Sequence, residues 1–429
     1  MELVSKLKKR EEEHKPIAVG IVGCGQMGSG LAHAINQIQG MAVKAIADIA
    51  PERGIDTFVS MGFSRDQIVV SDAQGVCEDA LVNGKRVVSA NAELLTRLEG
   101  LEANVEATGV TDVGARVAYS SILNNKPIIM LNVETDVTVG VYLNHLARKM
   151  GSVYTLASGD EPGVCKMLFE QAILMGFEVV CLAKGKNNYV CHTATPESCA
   201  DEAASKGMNP KILASFQDGT KTMVEMAAVS NATGLLPDVP GMYGPKVEVE
   251  DLLNTFIPKR DGGIFERCGT VDYSTGKIAP GVFAIVYSED VRIRKDMKFI
   301  TGADGPYYLH LRPYHLCDLE TPQSIAEAVL LREVTVTAEA MNSEVVCVAK
   351  RDLKVGEKVS CIGSADIYGM IYTYREARAL KAIPVGIAAG GHVAAAITKG
   401  SIMTEDNFTP DPDTFIYRMR RMQDALFEG

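Results

Sequence analysis

Leu3 and Leu7 recur on one face of MELVSKLKKREEEHK, with lysine and glutamate on the other, which predicts a short amphipathic helix over residues 1–14. After Pro16 the pattern becomes an almost unbroken apolar run, IAVGIVGCG. Ile17, Val19, Ile21 and Val22 leave no polar face, as expected of a strand buried on both sides in a parallel sheet. MGSGLAHAINQI then predicts a helix and MAVKAIAD a second strand ending at Asp48. The alternation continues with helices near 52–61 and 89–97, a strand ending in VEATG, a helix near 112–124 and the strand PIIMLNV. SVYTLAS and a helix from Pro162 to about Gly176 complete it. Strands and helices alternating in this way predict an α/β fold, a doubly wound parallel sheet with helices on both faces.

From Glu178 the texture changes. FEVVCLA, VFAIVYS and YYLHLR predict strands separated by long loops such as ATGLLPDVPGMYGPK, the pattern of an α+β region whose loops carry contacts. After the helix TPQSIAEAVLLR and a polar break near Asn342, VVCVAKRDLKVGEKVSCIG and VGIAAGGHVAAAITKGSIMT are β-rich, and the helix TFIYRMRRMQDALF closes the chain. The chain has 429 residues, and at about 150 residues per domain this length predicts two to three domains. The textures place them at 1–150, 151–343 and 345–429. With 47% hydrophobic and 23% charged residues, the chain can fill large cores, which excludes disorder as its dominant state. The strongest apolar stretch, 127–133, falls well short of the ~20 residues that span a bilayer, so no membrane helix is expected. The charged beginning of the chain has no apolar leader, which points to the cytoplasm. Forty-three Lys and Arg against 54 Asp and Glu leave a net charge of −11, and such a chain is repelled by phosphate backbones. Nucleic acid is therefore not an expected partner. The ten cysteines form no CxxC pair and read as reduced, mostly buried side chains.

Gly23, Gly25 and Gly28, with Gln26 and Met27 between the last two, form G-C-G-Q-M-G at the junction of the first strand and its helix. The first glycine allows the tight turn, the second lets the backbone approach a pyrophosphate, and the third lets helix and strand pack closely. The helix N-terminus then offers free N–H groups to the anion. Asp48, at the end of the second strand, is placed to accept ribose hydroxyls and favours NAD over NADP, whereas Arg53 is placed to pair with a 2′-phosphate. Thr108 and Gly109, in EATG, are expected where the nicotinamide half passes, the alternative being an ordinary strand-ending turn.

Further polar clusters end predicted strands, where open α/β sheets bind ligands. Asn132 and Glu134 follow one strand, with Asp136 behind them; Asp160 and Glu161 precede a helix that they can also simply cap; Lys184, Lys186, Asn187 and Asn188 form a third cluster. Lys221 and Glu225 are four apart in a small-residue helix, either a solvated surface pair or a lysine that moves a proton as a carbonyl is reduced. His310 and His315 read as strand packing, His392 as a turn residue, and Tyr243 and Lys246 as part of a loop that can close over substrate.

Together, the glycine turn, EATG, NKPIIMLNVETDV, SGDEP, KGKNN, DGTKTMVEMA, NATGLLPD and GMYGP resemble homoserine-dehydrogenase-like oxidoreductases, among them the 1-deoxy-D-xylulose 5-phosphate reductoisomerase-like enzymes. The resemblance covers most of the chain. It implies a Rossmann domain, a substrate and dimerisation domain, and a small β-rich C-terminal module similar to an SAF domain. It further implies a homodimer, a small-molecule substrate, NAD or NADP, and a reaction of isoprenoid biosynthesis that converts 1-deoxy-D-xylulose 5-phosphate to 2-C-methyl-D-erythritol 4-phosphate. For that reaction a divalent cation on carboxylates such as Glu134, Asp160 and Glu161 is compatible with the residues. Lys184, Lys186 and Lys221 would serve as proton or phosphate groups, Glu225 as a carboxylate partner, and Asn187, Asn188 and Asn231 as substrate contacts. Asn132-Val133-Glu134 stands where homoserine dehydrogenases carry Asn-Lys. A catabolic NAD-dependent polyol or sugar-acid dehydrogenase is the alternative that Asp48 favours, and a cofactor-binding sensor without catalysis is a third.

Overall fold

The computed structural model describes residues 2–427. The chain forms two compact units, one of Met1–Asp160, Leu316–Thr337 and Asp413–Gly429, the other of Glu161–His315 and Ala338–Pro412.

Unit 1 is built on seven parallel strands: β1 (Ile17–Val22), β2 (Met41–Ala47), β3 (Ile68–Val70), β4 (Arg86–Ser89), β5 (Ala103–Glu106), β6 (Ile128–Met130) and β7 (Tyr154–Leu156). Their order is β3-β4-β2-β1-β5-β6-β7, the doubly wound sheet that the alternation predicts. The order reverses at β1, which has β2 on one side and β5 on the other, and such a reversal opens a crevice at the carboxyl ends of the strands. All six residues of β1 are buried, and Ile17, Val19 and Ile21 pack with Leu31 and Ile35 of the following helix, Gln26–Asn36.

The helix Val133–Met150 was not anticipated, since the pattern passed directly from PIIMLNV to SVYTLAS. Its residues 133–141 are all buried, so it lacks the polar stripe by which a surface helix is recognised. Part of its cover comes from far along the chain. The C-terminal helix Phe415–Phe427 packs on Val133–Met150 and on Thr111–Leu123, with Tyr142 N donating to Gln423 Oε1 at 2.9 Å. Buried Arg420 donates to Asp424 at 2.8 Å and to Thr138 O at 3.3 Å. The helix Cys317–Ala326 packs on Gln26–Asn36, where Gly30 leaves room for Asp318. Leu156 N donates to Val336 O at 2.9 Å. Consecutive segments at 1–150, 151–343 and 345–429 thus do not describe unit 1, because two later stretches return to it and supply part of its core.

Unit 2 holds a mixed sheet of five strands, β8 (Glu178–Gly185), β9 (Leu236–Pro237), β10 (Thr270–Ser274), β11 (Val282–Tyr287) and β12 (Tyr307–Arg312), in the order β12-β11-β8-β10-β9. β10 runs parallel to β8 and β9, while β11 is antiparallel to β8 and β12. Val180, Cys181, Phe256, Phe265, Phe283 and Ile285 form a core on this sheet. The helices Glu161–Leu174 and Thr220–Thr233 pack on each other. Residues 338–412 add the β-rich texture expected near the C-terminus, with the antiparallel pair β13 (Ser343–Ala349) and β14 (Ile367–Thr373) and the short pair β15 (His392–Val393) and β16 (Phe408–Thr409). All ten cysteines are free thiols. No helix among the described residues is long and apolar enough to cross a membrane.

Candidate active site

In unit 1 the turn after β1 is tight on its inner side and open on its outer side. Gly23 takes φ +90°, and a Cβ there would lie 2.8–2.9 Å from the backbone of Ala107 and Thr108. A Cβ on Gly28 would lie 1.9 Å from Gly23 O, so only glycine lets helix and strand approach this closely. At Gly25 a Cβ would meet nothing within 4 Å. The helix Gln26–Asn36 has no side-chain cap, and Gly25, Gln26 and Met27 are exposed, so its N-terminal donors face open space. An uncapped, exposed helix N-terminus at a glycine turn fits an anionic pyrophosphate.

Asp48 braces this turn. Its Oδ2 accepts from Cys24 N and its Oδ1 from Ala50 N, both at 2.8 Å, and the exposed Arg53 guanidinium lies 3.7 Å from Oδ1. Across the switch point, Glu106 ends β5 and is fully buried. Its Oε1 accepts from Thr108 N at 3.0 Å and from the Thr108 hydroxyl, and its carboxyl also hydrogen-bonds the Asn132 side chain. Burial pushes Glu106 up to about 7 against these hydrogen bonds. Asn132, fully buried, caps the helix Val133–Met150 through Thr135 N at 3.1 Å and donates to Val110 O at 3.2 Å. Its side chain therefore holds the strand-end loops together. Glu134 is buried in the first turn of the same helix, and Asp136 accepts from Tyr154 OH at 2.9 Å. Asp160, also buried, accepts a weak hydrogen bond from the Cys317 thiol at 3.3 Å. Gly109, at φ +68°, follows Thr108 in the turn after β5.

Unit 2 brings together residues that are far apart in sequence. Lys184, near the end of β8, places its ammonium between the carboxylates of Glu161 and Glu225, from the helices Glu161–Leu174 and Thr220–Thr233, and donates to both. All three side chains are less than 10% exposed. Burial alone would push the Lys184 ammonium down, but the two carboxylates outweigh it and hold it above the usual lysine range. Burial and the neighbouring Glu161 push Glu225 up, with Lys184 opposing. Lys221 Nζ is 4.0 Å from Glu225 Oε1, and its side chain is only 19% exposed, so the pair is not a solvated surface pair. His315 Nε2 lies 3.3 Å from Glu161 Oε1, a contact that strand packing did not anticipate. His310, in β12, does pack edge-on against Phe177.

Lys186 differs from Lys184 two residues earlier. Its ammonium donates to Phe216 O at 2.6 Å, and burial, reinforced by Lys184, pushes it down to about 8. Asn187 is exposed and Asn188 half-buried on the loop that follows. Asn231 is fully buried, and its Oδ1 accepts from Asn342 N and Ser343 N at 2.8 and 2.9 Å, which ties the helix Thr220–Thr233 to β13. The loop of Tyr243 is pinned from below by Asp272, which accepts from the backbone N–H of Tyr243, Gly244 and Tyr273. Lys246 lies over the exposed Tyr189 ring at 5.5 Å.

Sequence reasoning missed Glu106 and read His315 only as strand packing. Glu106 stood inside the quoted VEATG, and a charged residue at the end of a buried strand was its signal. His315 had none.

Residues 159–321 match the family model described as the catalytic domain of the oxidoreductase DRL. No curated protein sequence matches the chain. Among solved structures, it is similar to a probable dehydrogenase from Thermotoga maritima, at 12% identity over 74% of this chain and 90% of that one, with a TM-score of 0.41. It is also similar to the 1-deoxy-D-xylulose 5-phosphate reductoisomerase from Zymomonas mobilis in complex with NADPH, at 17% identity over 50% of this chain and 57% of that one, with a TM-score of 0.36. The scyllo-inositol dehydrogenase from Lactobacillus casei, with NAD(H) and scyllo-inositol bound, is similar at 13% identity over 64% of this chain and 67% of that one, with a TM-score of 0.34.

Proposed function

We propose that this chain is an NAD(P)-dependent oxidoreductase that interconverts a hydroxyl and a carbonyl on a small polar substrate, a polyol, ketose or sugar acid with or without a phosphate. The observation that carries the reading is the pairing of Lys184 with Glu161 and Glu225, within the stretch similar to an oxidoreductase catalytic domain. A nicotinamide dinucleotide on the glycine turn supplies or takes up the hydride. Lys184, fixed as a cation, orients the substrate oxygen and stabilises negative charge on it. Lys186, near 8, is suited to hold or release the proton of that oxygen at Nζ around neutral pH, with Lys221 as a second ammonium. Glu161 and Glu225 accept hydrogen bonds from substrate hydroxyls. Asp48 favours NAD, and Arg53 beside it offers a partner for a 2′-phosphate, so the ratio of rates with NADH and NADPH decides the preference. The reading carries with it a cytoplasmic homodimer.

A second reading, reductoisomerisation of a hydroxy ketone phosphate, rests on the resemblance of the motifs to reductoisomerase-like enzymes. It calls for a divalent cation. Glu161 and Glu225 already share a buried ammonium, which a dication would have to displace. The experiment is a screen of polyols, sugar acids and ketose phosphates with both cofactors, before and after chelation. Turnover that survives chelation supports direct redox chemistry. Turnover that is lost and restored by Mg²⁺ or Mn²⁺ supports the second reading, and cofactor binding without any turnover supports a sensor.

A further inference from the structure

The β-rich region 338–412 reaches the catalytic helices of unit 2 through a second buried ion pair. Lys350, directly after β13, is 2% exposed, and its ammonium donates to Ala194 O and Ser364 O, both at 2.7 Å. The same ammonium lies 2.7 Å from Oδ2 of the fully buried Asp218. Asp218 sits between the helices Pro210–Gln217 and Thr220–Thr233, and its Oδ1 accepts from Thr220 N at 2.8 Å. Its carbonyl is 2.9 Å from Nδ1 of His192, whose ring stacks on Tyr368 of β14 at 4.2 Å. Gly369 N, on the same strand, donates to Thr220 Oγ1 at 2.8 Å. A Cβ on Gly363 would lie 2.1 Å from Lys211 O, so the loop before β14 is pressed against the preceding helix. Two residues before Asp218, the carbonyl of Phe216 receives the Lys186 ammonium.

We propose that Lys350 is a positioning residue which, through Asp218, fixes the segment 216–218 that holds the Lys186 ammonium, making the C-terminal β-rich region part of the catalytic unit. The proposal rests on the oxidoreductase reading for the role of Lys186. The electrostatics agree with the geometry. Burial and Lys184 lower Lys186, while Glu225 and Asp218 raise it. Asp218 is itself pushed up by burial and held back chiefly by Lys350. The groups facing Asp218 are Lys350 and Tyr368 from the β-rich region and His192 from the loop after β8. Without Lys350, a buried Asp218 takes up a proton and no longer supports the charged form of Lys186.

The test compares full-length wild type with Lys350→Met, Lys350→Arg and Asp218→Asn. The readouts are the Lys186 Nζ titration followed by NMR, and kcat and KM against pH. In Lys350→Met the Lys186 titration should move below 8 by about half a unit or more, with a parallel shift in the pH profile of kcat and little change in cofactor affinity. Lys350→Arg should restore the wild-type titration. Asp218→Asn removes the same charge directly and carries the test should Lys350→Met not fold. A Lys186 titration unmoved in folded Lys350→Met or Asp218→Asn overturns the proposal, whatever the loss of thermal stability. A titration that moves in a protein with no turnover on any substrate overturns the oxidoreductase reading and leaves the positioning role standing.

Discussion

Glu106→Gln tests the electrostatics beside the cofactor turn. In the folded chain Glu106 is fully buried and titrates at about 7, against an ordinary value of 4.5. Its folded pKa is raised, so between these values the folded chain holds a proton that the unfolded chain has released. The stabilisation from that proton is full below 4.5, falls as pH rises and is gone above about 7. With these two values, linkage gives a loss of about 2.5 kcal/mol between pH 5 and pH 8 from this one group. Glutamine keeps the oxygen that Thr108 bonds but cannot ionise. Its amide N–H₂ falls where Oε2 has no hydrogen-bond partner, which costs about 1–3 kcal/mol at every pH. The diagnostic quantity is therefore the pH dependence of the difference between the proteins. Urea unfolding followed by circular dichroism at pH 5, 6, 7 and 8 should find the variant gaining on wild type by about 2.5 kcal/mol from the lowest pH to the highest. A difference that stays flat across this range would refute a neutral, proton-holding Glu106. NADH affinity at pH 6 should change little, because Thr108 keeps its acceptor.

The remaining predictions concern the two ends of the chemistry. Gly25→Ala meets open space, so it should fold with wild-type thermal stability yet weaken NADH binding, read by cofactor fluorescence; Gly28→Ala, facing Gly23 O at 1.9 Å, should cost about 1–3 kcal/mol and weaken binding as well. Equal stability in the two variants would contradict the tight-inside, open-outside turn. Lys184→Ala strands two buried carboxylates and should cost about 3–5 kcal/mol in chemical denaturation, with Glu161→Gln and Glu225→Gln added to it recovering stability but not turnover. Lys221→Met should abolish turnover and leave the NADH dissociation constant unchanged; unchanged turnover removes Lys221 from the site.

What was legible in the fold was whatever rests on local pattern. β1 is a continuous apolar run next to a glycine turn, and both the strand and its helix are where the sequence puts them. β8, β11 and β12 were visible for the same reason. The helix Val133–Met150 was not, because the helix from positions near 415 helps cover it and its residues 133–141 leave no exposed stripe to betray its period. β10 was missed because Thr270–Ser274 is polar at three of its five positions, although all five are buried. Its hydroxyls and carboxylate find partners that only the folded sheet supplies, such as Val180 O for Thr270 and the Tyr243 loop for Asp272.

The candidate site was legible as residue types and not as assignments. Lys184 and Lys186 stand two apart in KGKNN, and nothing local separates them. Their surroundings do: Lys184 meets Glu161, 23 residues earlier, and Glu225, 41 residues later. Those carboxylates keep it charged at any working pH, so it cannot serve as a base. The charge they hold there acts with burial to push Lys186 down to about 8, where a proton can be given up. Two identical side chains are thus driven apart by contacts that the strand does not encode, the separation that the proposed roles of fixed charge and proton carrier require. Asn231 and Asn132, each named for a ligand, have their side-chain oxygens taken by backbone N–H groups, contacts that no local pattern foretells.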